Sequence, residues 1–304
     1  MSNIILIFIY LLLGVGLQRV KWFPTDSYKL INKFLVYICL PALALYYIPK
    51  VHWDNKLLYL IGVTWIGFAI SFFFFRFLGK KYGWSKKLIG CLIITAGLGN
   101  TSFLGYPIVN ALYGSEGLKM AILVDQPGTF VVLSTIAVVV ATLYSKEATS
   151  GGKIIKKVML FPPFITFLVA CFANVLNLDF HDYFQLALQK VGSLLTPLAM
   201  ISVGLQLHFD SKSQHWKFLW IGLAYKLFIT PAILFLLYVV ILKQHGLMIQ
   251  VALIEAAMAP MIMASILASS HGLKPRLSSM MIGFGIPISF ITLAFWYFVL
   301  EFLG

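Results

Sequence analysis

Long apolar runs alternate with short polar breaks along the whole chain. A run of about 20 apolar residues is what a helix needs to cross the hydrocarbon core of a bilayer. The spacing predicts ten transmembrane spans, at about 3–20, 27–48, 56–79, 88–112, 118–144, 158–178, 186–207, 215–242, 247–270 and 276–303. The runs are too long for the strands of a membrane barrel. The pattern therefore predicts an all-α polytopic membrane protein.

A polar segment at 145–157 falls almost at the centre of the chain. We interpret it as a linker between a first repeat, 1–144, and a second repeat, 158–304. Each half would hold five spans, and an odd number makes the second half begin on the opposite side of the membrane. The prediction is therefore two inverted five-helix repeats.

Prolines echo between the two halves. Pro41 and Pro197 are 156 residues apart, in predicted spans two and seven. Pro107 and Pro260 are 153 residues apart, in spans four and nine. Paired breaks in corresponding spans are the best sequence pointer to a transporter binding site. Chance alignment is the alternative, because proline is common in membrane helices.

The basic residues indicate the orientation of the chain. Of the 23 lysines and arginines, 17 flank the odd-numbered connections and five flank the even-numbered ones. The positive-inside rule then places both termini outside the cytoplasm. The net charge of +13 follows the same pattern, so we expect a cell-membrane protein with lipid as its surroundings and no nucleic-acid partner.

Composition argues against a metal or disulfide site. The three cysteines each lie inside a predicted span with no CxxC spacing, and the six histidines lie in or beside loops. We therefore expect no metal and no cofactor.

The stretch from Gly97 to Pro107, GLGNTSFLGYP, breaks the fourth span with glycines, an amide, hydroxyls and a proline. Backbone N–H and C=O groups that are freed in hydrocarbon each cost several kcal/mol, because nothing there can form a hydrogen bond with them. Such a break persists only where it faces protein or a water-filled cavity. We therefore place the candidate site here, with Pro107 and Pro260 setting the geometry of the two broken helices.

Uncharged polar residues are the candidates for substrate binding. Asn100, Thr101 and Ser102 follow the break, and an amide can hydrogen-bond a carboxylate. Ser202 in span seven is a weaker candidate of the same kind. The alternative is that small residues here only allow helices to pack closely.

Three charged residues lie inside predicted spans, where charge is costly. Lys226 either balances a carboxylate or a bound anion, or tethers carbonyls freed at the broken helices. Glu255 is a candidate proton carrier, and a permanent ion pair, with Lys226 for example, is the alternative. Asp125 begins a second polar kink, where capping or snorkelling is the alternative to charge balance.

These motifs resemble those of the auxin efflux carrier family, bacterial permeases related to plant auxin exporters. The resemblance rests on Gly99-Asn100-Thr101 with Gly105 and Pro107, followed by Ala111-Leu112-Tyr113-Gly114. Further support comes from Ile31–Phe34 through Pro41, from Pro197-Leu198-Ala199 with Gly204-Leu205, and from the alanine-rich approach to Pro260. The plant exporters differ in having a long loop where this chain has a short linker.

The resemblance implies a fold like that of sodium–proton antiporters and bile-acid symporters, with spans four and nine unwound and crossing at their prolines. It implies a scaffold and a transport domain that move as an elevator. It implies a small organic anion, a carboxylate or auxin-like acid, held near Asn100, and a possible homodimer through the scaffold. Lys226 would then stand where relatives of the fold bind sodium.

We therefore expect a secondary transporter and not an enzyme. We do not expect a primary pump, because the chain has no GxxxxGK[ST] phosphate loop. An ion channel is one alternative, although no selectivity filter or charged ring is evident. An intramembrane enzyme is another, although the acids are scattered and no nucleophile–base pair is evident.

Overall fold

The computed structural model describes residues 2–24, 26–52, 54–145, 161–178, 180–207 and 214–303. All regular secondary structure in these ranges is helical, which confirms the all-α prediction. The predicted linker at 145–157 and the first residues of the second repeat lie almost wholly outside the described residues.

The helices follow the apolar runs. In chain order they are α1 Ser2–Leu17, α2 Ser27–Phe34, α3 Leu40–Tyr47, α4 Leu57–Lys81, α5 Lys86–Gly97, α6 Tyr106–Val124, α7 Val138–Tyr144, α8 Pro162–Val175, α9 Asp182–Ser193, α10 Leu195–Gln206, α11 Trp216–Ala224, α12 Thr230–Phe235, α13 Leu247–Ala256, α14 Ile262–Ser270 and α15 Pro275–Leu303. Short π-helical turns continue several of them, at Leu35–Cys39, Thr101–Gly105, Asp125–Phe130, Leu133–Ala137, Tyr225–Ile229 and Leu236–Ile241.

Six helical stretches of the described chain are long and apolar enough to cross a membrane, fewer than the ten predicted spans. They are Ser27–Lys50, Leu57–Lys81, Thr101–Tyr144, Asp182–Gln206, Trp216–Ile241 and Pro275–Phe302. Shorter apolar helices occur at Ile4–Leu17, Pro162–Val175 and Leu247–Ala256. The number of stretches is lower than the number of predicted spans partly because the fourth and ninth apolar runs are interrupted by non-helical residues. Residues 101–144 also pass through a turn at Gly114, whose φ of +65° suits glycine.

The helices pack as two bundles. In the first bundle, α1 and α2 pack on α10, and α3 packs on α8 and α9. The second bundle contains α4–α7 and α11–α15, with its own apolar core around Leu92, Leu223 and Met281. The bundles meet where α10 packs on α6 and on Thr101–Gly105, and where α8 packs on Asp125–Phe130. The polar motifs of the fourth and fifth runs thus lie at the boundary between the bundles.

Candidate functional site

Two interrupted helices meet in the second bundle. The chain is non-helical between α5 and Thr101, and again between α13 and α14. The two interruptions pair in antiparallel fashion at Gly99 and Pro260. The amide of Asn100 donates to the carbonyl of Ala259 at 2.8 Å, and the amide of Met261 donates to Leu98 at 3.0 Å. Each break therefore satisfies backbone groups that the other has freed.

Proline and glycine are suited to these two positions. Proline has no N–H, but the bonds of the pair come from the residues on either side of Pro260, so none is lost. A Cβ atom on Gly99 would lie 3.0 Å from Lys226 Nζ and 3.2 Å from the carbonyl oxygen of Glu255. Gly285 on α15 leaves room for the Pro260 ring, since a Cβ there would lie 2.7 Å from its Cδ.

Pro107 does not lie at the crossing, contrary to what the resemblance implies. It lies two residues after the π-helical turn Thr101–Gly105, inside a continuous helical stretch, where its missing N–H removes one helical hydrogen bond without interrupting the helix. The extended residues of the first break are instead Leu98–Asn100, directly after Gly97. Only Pro260 of the two predicted prolines is part of the crossing.

Lys226 reaches the second break from the π-helical turn after α11. It is 2% exposed, and its ammonium donates to the carbonyl of Ala256, the last residue of α13, at 2.9 Å. Between charged side chains of the described ranges, ion pairs form only at Lys29–Asp26 and Lys119–Glu116. The contact matches the tether interpretation of Lys226, and the alternative Lys226–Glu255 ion pair is not formed.

Two buried polar groups at the crossing have no hydrogen-bond partner within the described residues. They are the Asn100 side-chain nitrogen and the Glu255 carboxylate, both oxygens included. Asn100 is 2% exposed and Glu255 is 1% exposed. Glu255 lies against the backbone of Gly105, because a Cβ there would be 2.8 Å from its Cδ. Asn100 therefore offers an unused donor beside the break.

Asp125 holds a network of three donors. It accepts hydrogen bonds from Thr101 Oγ1 at 2.5 Å, from the Tyr106 hydroxyl at 3.1 Å and from Gln126 Nε2 at 2.8 Å. Two of these donors belong to the stretch that follows the first break. The network thereby joins the fourth and fifth apolar runs, and three donors suit an ionised carboxylate. Asp125 is buried, whereas a snorkelling side chain keeps its charged head in water, so the snorkelling alternative does not describe it.

A cavity of about 210 Å³, here the Asp125 cavity, opens beside this network. Ser102, Asp125, Gln126 and Met261 line it from the second bundle, and Leu40 and Phe161 line it from the first. Phe161 stacks on Phe130 at a ring-centroid distance of 4.0 Å. Asp125 is the charged residue of this lining, and no lysine or arginine of the described chain belongs to it.

A second cavity of about 350 Å³, here the Tyr106 cavity, also lies between the bundles. Its polar lining includes Tyr46, Tyr106, Asn110 and Gln189, and Pro107 belongs to it as well. Along the second apolar run the Asp125 cavity takes Val36 and Leu40, whereas this cavity takes Leu43, Tyr46 and Tyr47. The two cavities therefore lie at successive depths, and the Tyr106–Asp125 hydrogen bond spans the distance between their linings.

Ser202 belongs to a different polar contact. Its hydroxyl donates to Asn32 Oδ1 at 2.5 Å and accepts from Gln206 Nε2 at 3.2 Å. These bonds join α2 to α10 inside the first bundle. The structure therefore places Ser202 in helix packing, the alternative kept open for small polar residues.

The structure brings most of the predicted site residues together around the crossing. Ser102 and Asp125 line the Asp125 cavity, Thr101 bonds to Asp125, and Asn100, Lys226, Glu255 and Pro260 lie at the two breaks. Tyr106 and Gln126 were not among the candidates, although each is next to one in sequence. The described ranges contain no group of three or more His, Cys, Asp or Glu suited to a metal ion.

Comparison with known proteins finds transporters similar to this chain over nearly its whole length. The chain is 26% identical to an uncharacterized transporter of Methanocaldococcus jannaschii, over 99% of this chain and 98% of that protein. It is 25% identical to an uncharacterized transporter of Methanothermobacter thermautotrophicus, over 98% of each. Residues 1–297 match the family described as membrane transport protein. The chain therefore belongs to this family of multi-pass membrane transporters, the auxin efflux carrier family that its motifs resemble.

Proposed function

We propose that this chain is a secondary transporter of a small organic anion. The observation that carries the proposal is the Gly99–Pro260 crossing, whose neighbour Met261 lines the Asp125 cavity at the boundary of the two bundles. Broken helices place backbone dipoles and freed donors where a ligand enters, which suits an anion. Asn100 adds a buried side-chain nitrogen that has no partner in the described chain. It is two residues before Ser102, which lines the Asp125 cavity.

The transport step is an elevator-type movement of the second bundle against the first. The second bundle carries both breaks, and one core cluster, around Leu92, Leu223 and Met281, belongs to it alone. The other core cluster continues into the first bundle. The cavities at two depths are the routes by which substrate reaches the crossing from either side. The ten spans, the inverted repeats, both termini outside the cytoplasm and a homodimer through the first bundle complete the proposal.

A ligand screen tests the substrate class. Purified protein in detergent is heated with succinate, acetate, indole-3-acetate or neutral and cationic amino acids, with and without sodium. A ligand at about 100 times its Kd should stabilise the protein by roughly 2.7 kcal/mol. Stabilisation by an acid supports the proposal, and stabilisation by neutral or cationic compounds alone contradicts it. A sodium requirement would count against Lys226 as a substitute for sodium.

Asn100→Ala locates the binding site. We expect the variant to remain folded and monodisperse but to lose the stabilisation that the acid gives to the wild type. Asn55→Ala is the matched control, because Asn55 is exposed on a loop. Unchanged affinity in Asn100→Ala would remove Asn100 from the site. In proteoliposomes, saturable flux separates a carrier from a channel, and a chemically altered substrate would indicate an enzyme.

A further inference from the structure

Resting on the proposed function, we infer that Asp125 binds and releases a proton that accompanies each substrate anion. Three features of the structure support this. Asp125 has access to two cavities, the Glu255 carboxylate is buried away from both, and Lys226, the buried lysine of the described spans, donates to a backbone carbonyl and not to Asp125.

Asp125 communicates with both cavities. Its side chain lines the Asp125 cavity directly. Its Oδ2 atom accepts a hydrogen bond of 3.1 Å from the hydroxyl of Tyr106, which lines the Tyr106 cavity. A hydroxyl group can donate and accept at once, so it can pass a proton along such a bond. A proton on Asp125 can thus exchange with either side of the membrane as the bundles move.

Glu255 lacks this access. It is 1% exposed, lies against the Gly105 backbone and contributes to the lining of neither cavity. Asp125 also has partners for both of its protonation states. Thr101, Tyr106 and Gln126 donate to the ionised form, and the hydroxyls of Thr101 and Tyr106 can accept from the protonated form. The carboxyl group itself therefore has hydrogen-bond partners in both protonation states.

The charges around Asp125 explain why a proton would bind there together with an anion. The titratable groups that interact with Asp125 are Tyr106, which donates a hydrogen bond to it, and Glu255, which repels it, and Lys226 lies near Glu255. Lys226 is directed to the Ala256 carbonyl, so it does not pair with Asp125. An anion entering the Asp125 cavity therefore meets an uncompensated carboxylate. When one Oδ atom forms an O–H bond with a proton from the cavity, the site loses one negative charge as the anion brings one in. For a monoanion the loaded and empty bundles then carry the same net charge, and for a dianion such as succinate they differ by one charge instead of two.

Infrared titration tests the proton site without any substrate. We expect acidification to produce a carbonyl stretch of a buried, protonated carboxylic acid. This band should be lost in Asp125→Asn and kept in Glu255→Gln and in the control Asp54→Asn, whose side chain is exposed. Tyr106→Phe should shift the band, because it removes a hydrogen bond from Asp125. If Asp125→Asn does not fold, the Tyr106→Phe shift still decides. A band that neither substitution changes would overturn the assignment.

Flux in proteoliposomes tests the coupling. We expect uptake of radiolabelled succinate to be stimulated by an inward proton gradient in the wild type, and the stimulation to be lost in Asp125→Asn. Protein-free liposomes control for passive entry. Succinate uptake that ignores the proton gradient would overturn the coupling while leaving the transporter proposal intact. An absence of wild-type uptake of every acid in the ligand screen would instead overturn the proposed function, and the infrared result would still decide the proton site.

Discussion

The backbone amide of Asn100 donates a hydrogen bond of 2.8 Å to the carbonyl of Ala259, and this bond joins the two interrupted helices. The same crossing explains why a break in the interior of a membrane protein is stable. Hydrocarbon offers no partner to a freed backbone group, so the partner must come from the protein. Here the other break supplies two of these partners, and Lys226 supplies another at Ala256.

Gly99→Ala should weaken the crossing. The added Cβ would lie 3.0 Å from Lys226 Nζ and 3.2 Å from the backbone oxygen of Glu255, and a backbone atom cannot easily move away. We expect a destabilisation of about 1–3 kcal/mol, typical of overpacking, and reduced transport. Thermal unfolding in detergent measures the first effect.

Gly16→Ala is the control for that substitution. Gly16 is exposed on α1, and a Cβ there would meet nothing within 4 Å. Alanine in a helix should raise stability by about 0.5–1 kcal/mol. Equal melting temperatures for the two variants would show that the crossing tolerates a side chain at Gly99.

Lys226→Met should destabilise the protein by about 1–3 kcal/mol, because it leaves the buried Ala256 carbonyl without its donor while keeping the length of the side chain. Lys217→Met is the control on the same run, since Lys217 is exposed. Differential scanning fluorimetry compares the two. If Lys226→Met has the same melting temperature as the wild type, the Lys226–Ala256 hydrogen bond does not stabilise the fold. The pH dependence of transport in this variant then tests whether Lys226 acts in charge balance.

The sequence predicted where the backbone breaks better than it predicted which side chains meet there. Gly97 and Gly99, two residues apart, and Pro260 disfavour a continuous helix, so these local residues pointed to the two breaks. Pro107 is also a helix breaker in general, but it lies just after the π-helical turn Thr101–Gly105, and the helical stretch continues through it. Sequence spacing cannot distinguish these two uses of proline.

Long-range contacts were beyond sequence reasoning. Ser202 bonds to Asn32, 170 residues away, and Lys226 bonds to Ala256 across the crossing. Such contacts depend on how the bundles pack, which local patterns do not encode. The family motifs include residues that lie at the crossing, but Tyr106 stands within one of them as an aromatic residue that sequence reasoning did not single out. Only its hydrogen bond to Asp125 and its place in a cavity wall distinguish it.

Tyr106→Phe should cost about 1.5–3 kcal/mol, the range for a hydrogen bond to a charged group. Tyr113→Phe is a matched control on the same helix, because the buried hydroxyl of Tyr113 has no partner among the described residues. Its removal should be neutral or slightly stabilising. Chemical unfolding or melting in detergent compares them. Equal losses in both variants would mean that the Tyr106–Asp125 bond contributes nothing specific.

Gly105→Ala should be destabilising because of Glu255 in particular. The added Cβ would lie 2.6 Å from Oε1 and 2.8 Å from Cδ of that residue, closer than real Cβ contacts come, so the buried carboxylate must move. Glu255→Ala removes the obstacle, and the double variant should recover part of the loss. We expect a coupling free energy of about 0.5–3 kcal/mol in a double-mutant cycle, measured by unfolding in detergent. Gly16→Ala combined with Glu255→Ala is the control, for which the two effects should add. Additive effects for Gly105 and Glu255 as well would show that the carboxylate has room to move, and that Gly105 is not required by it.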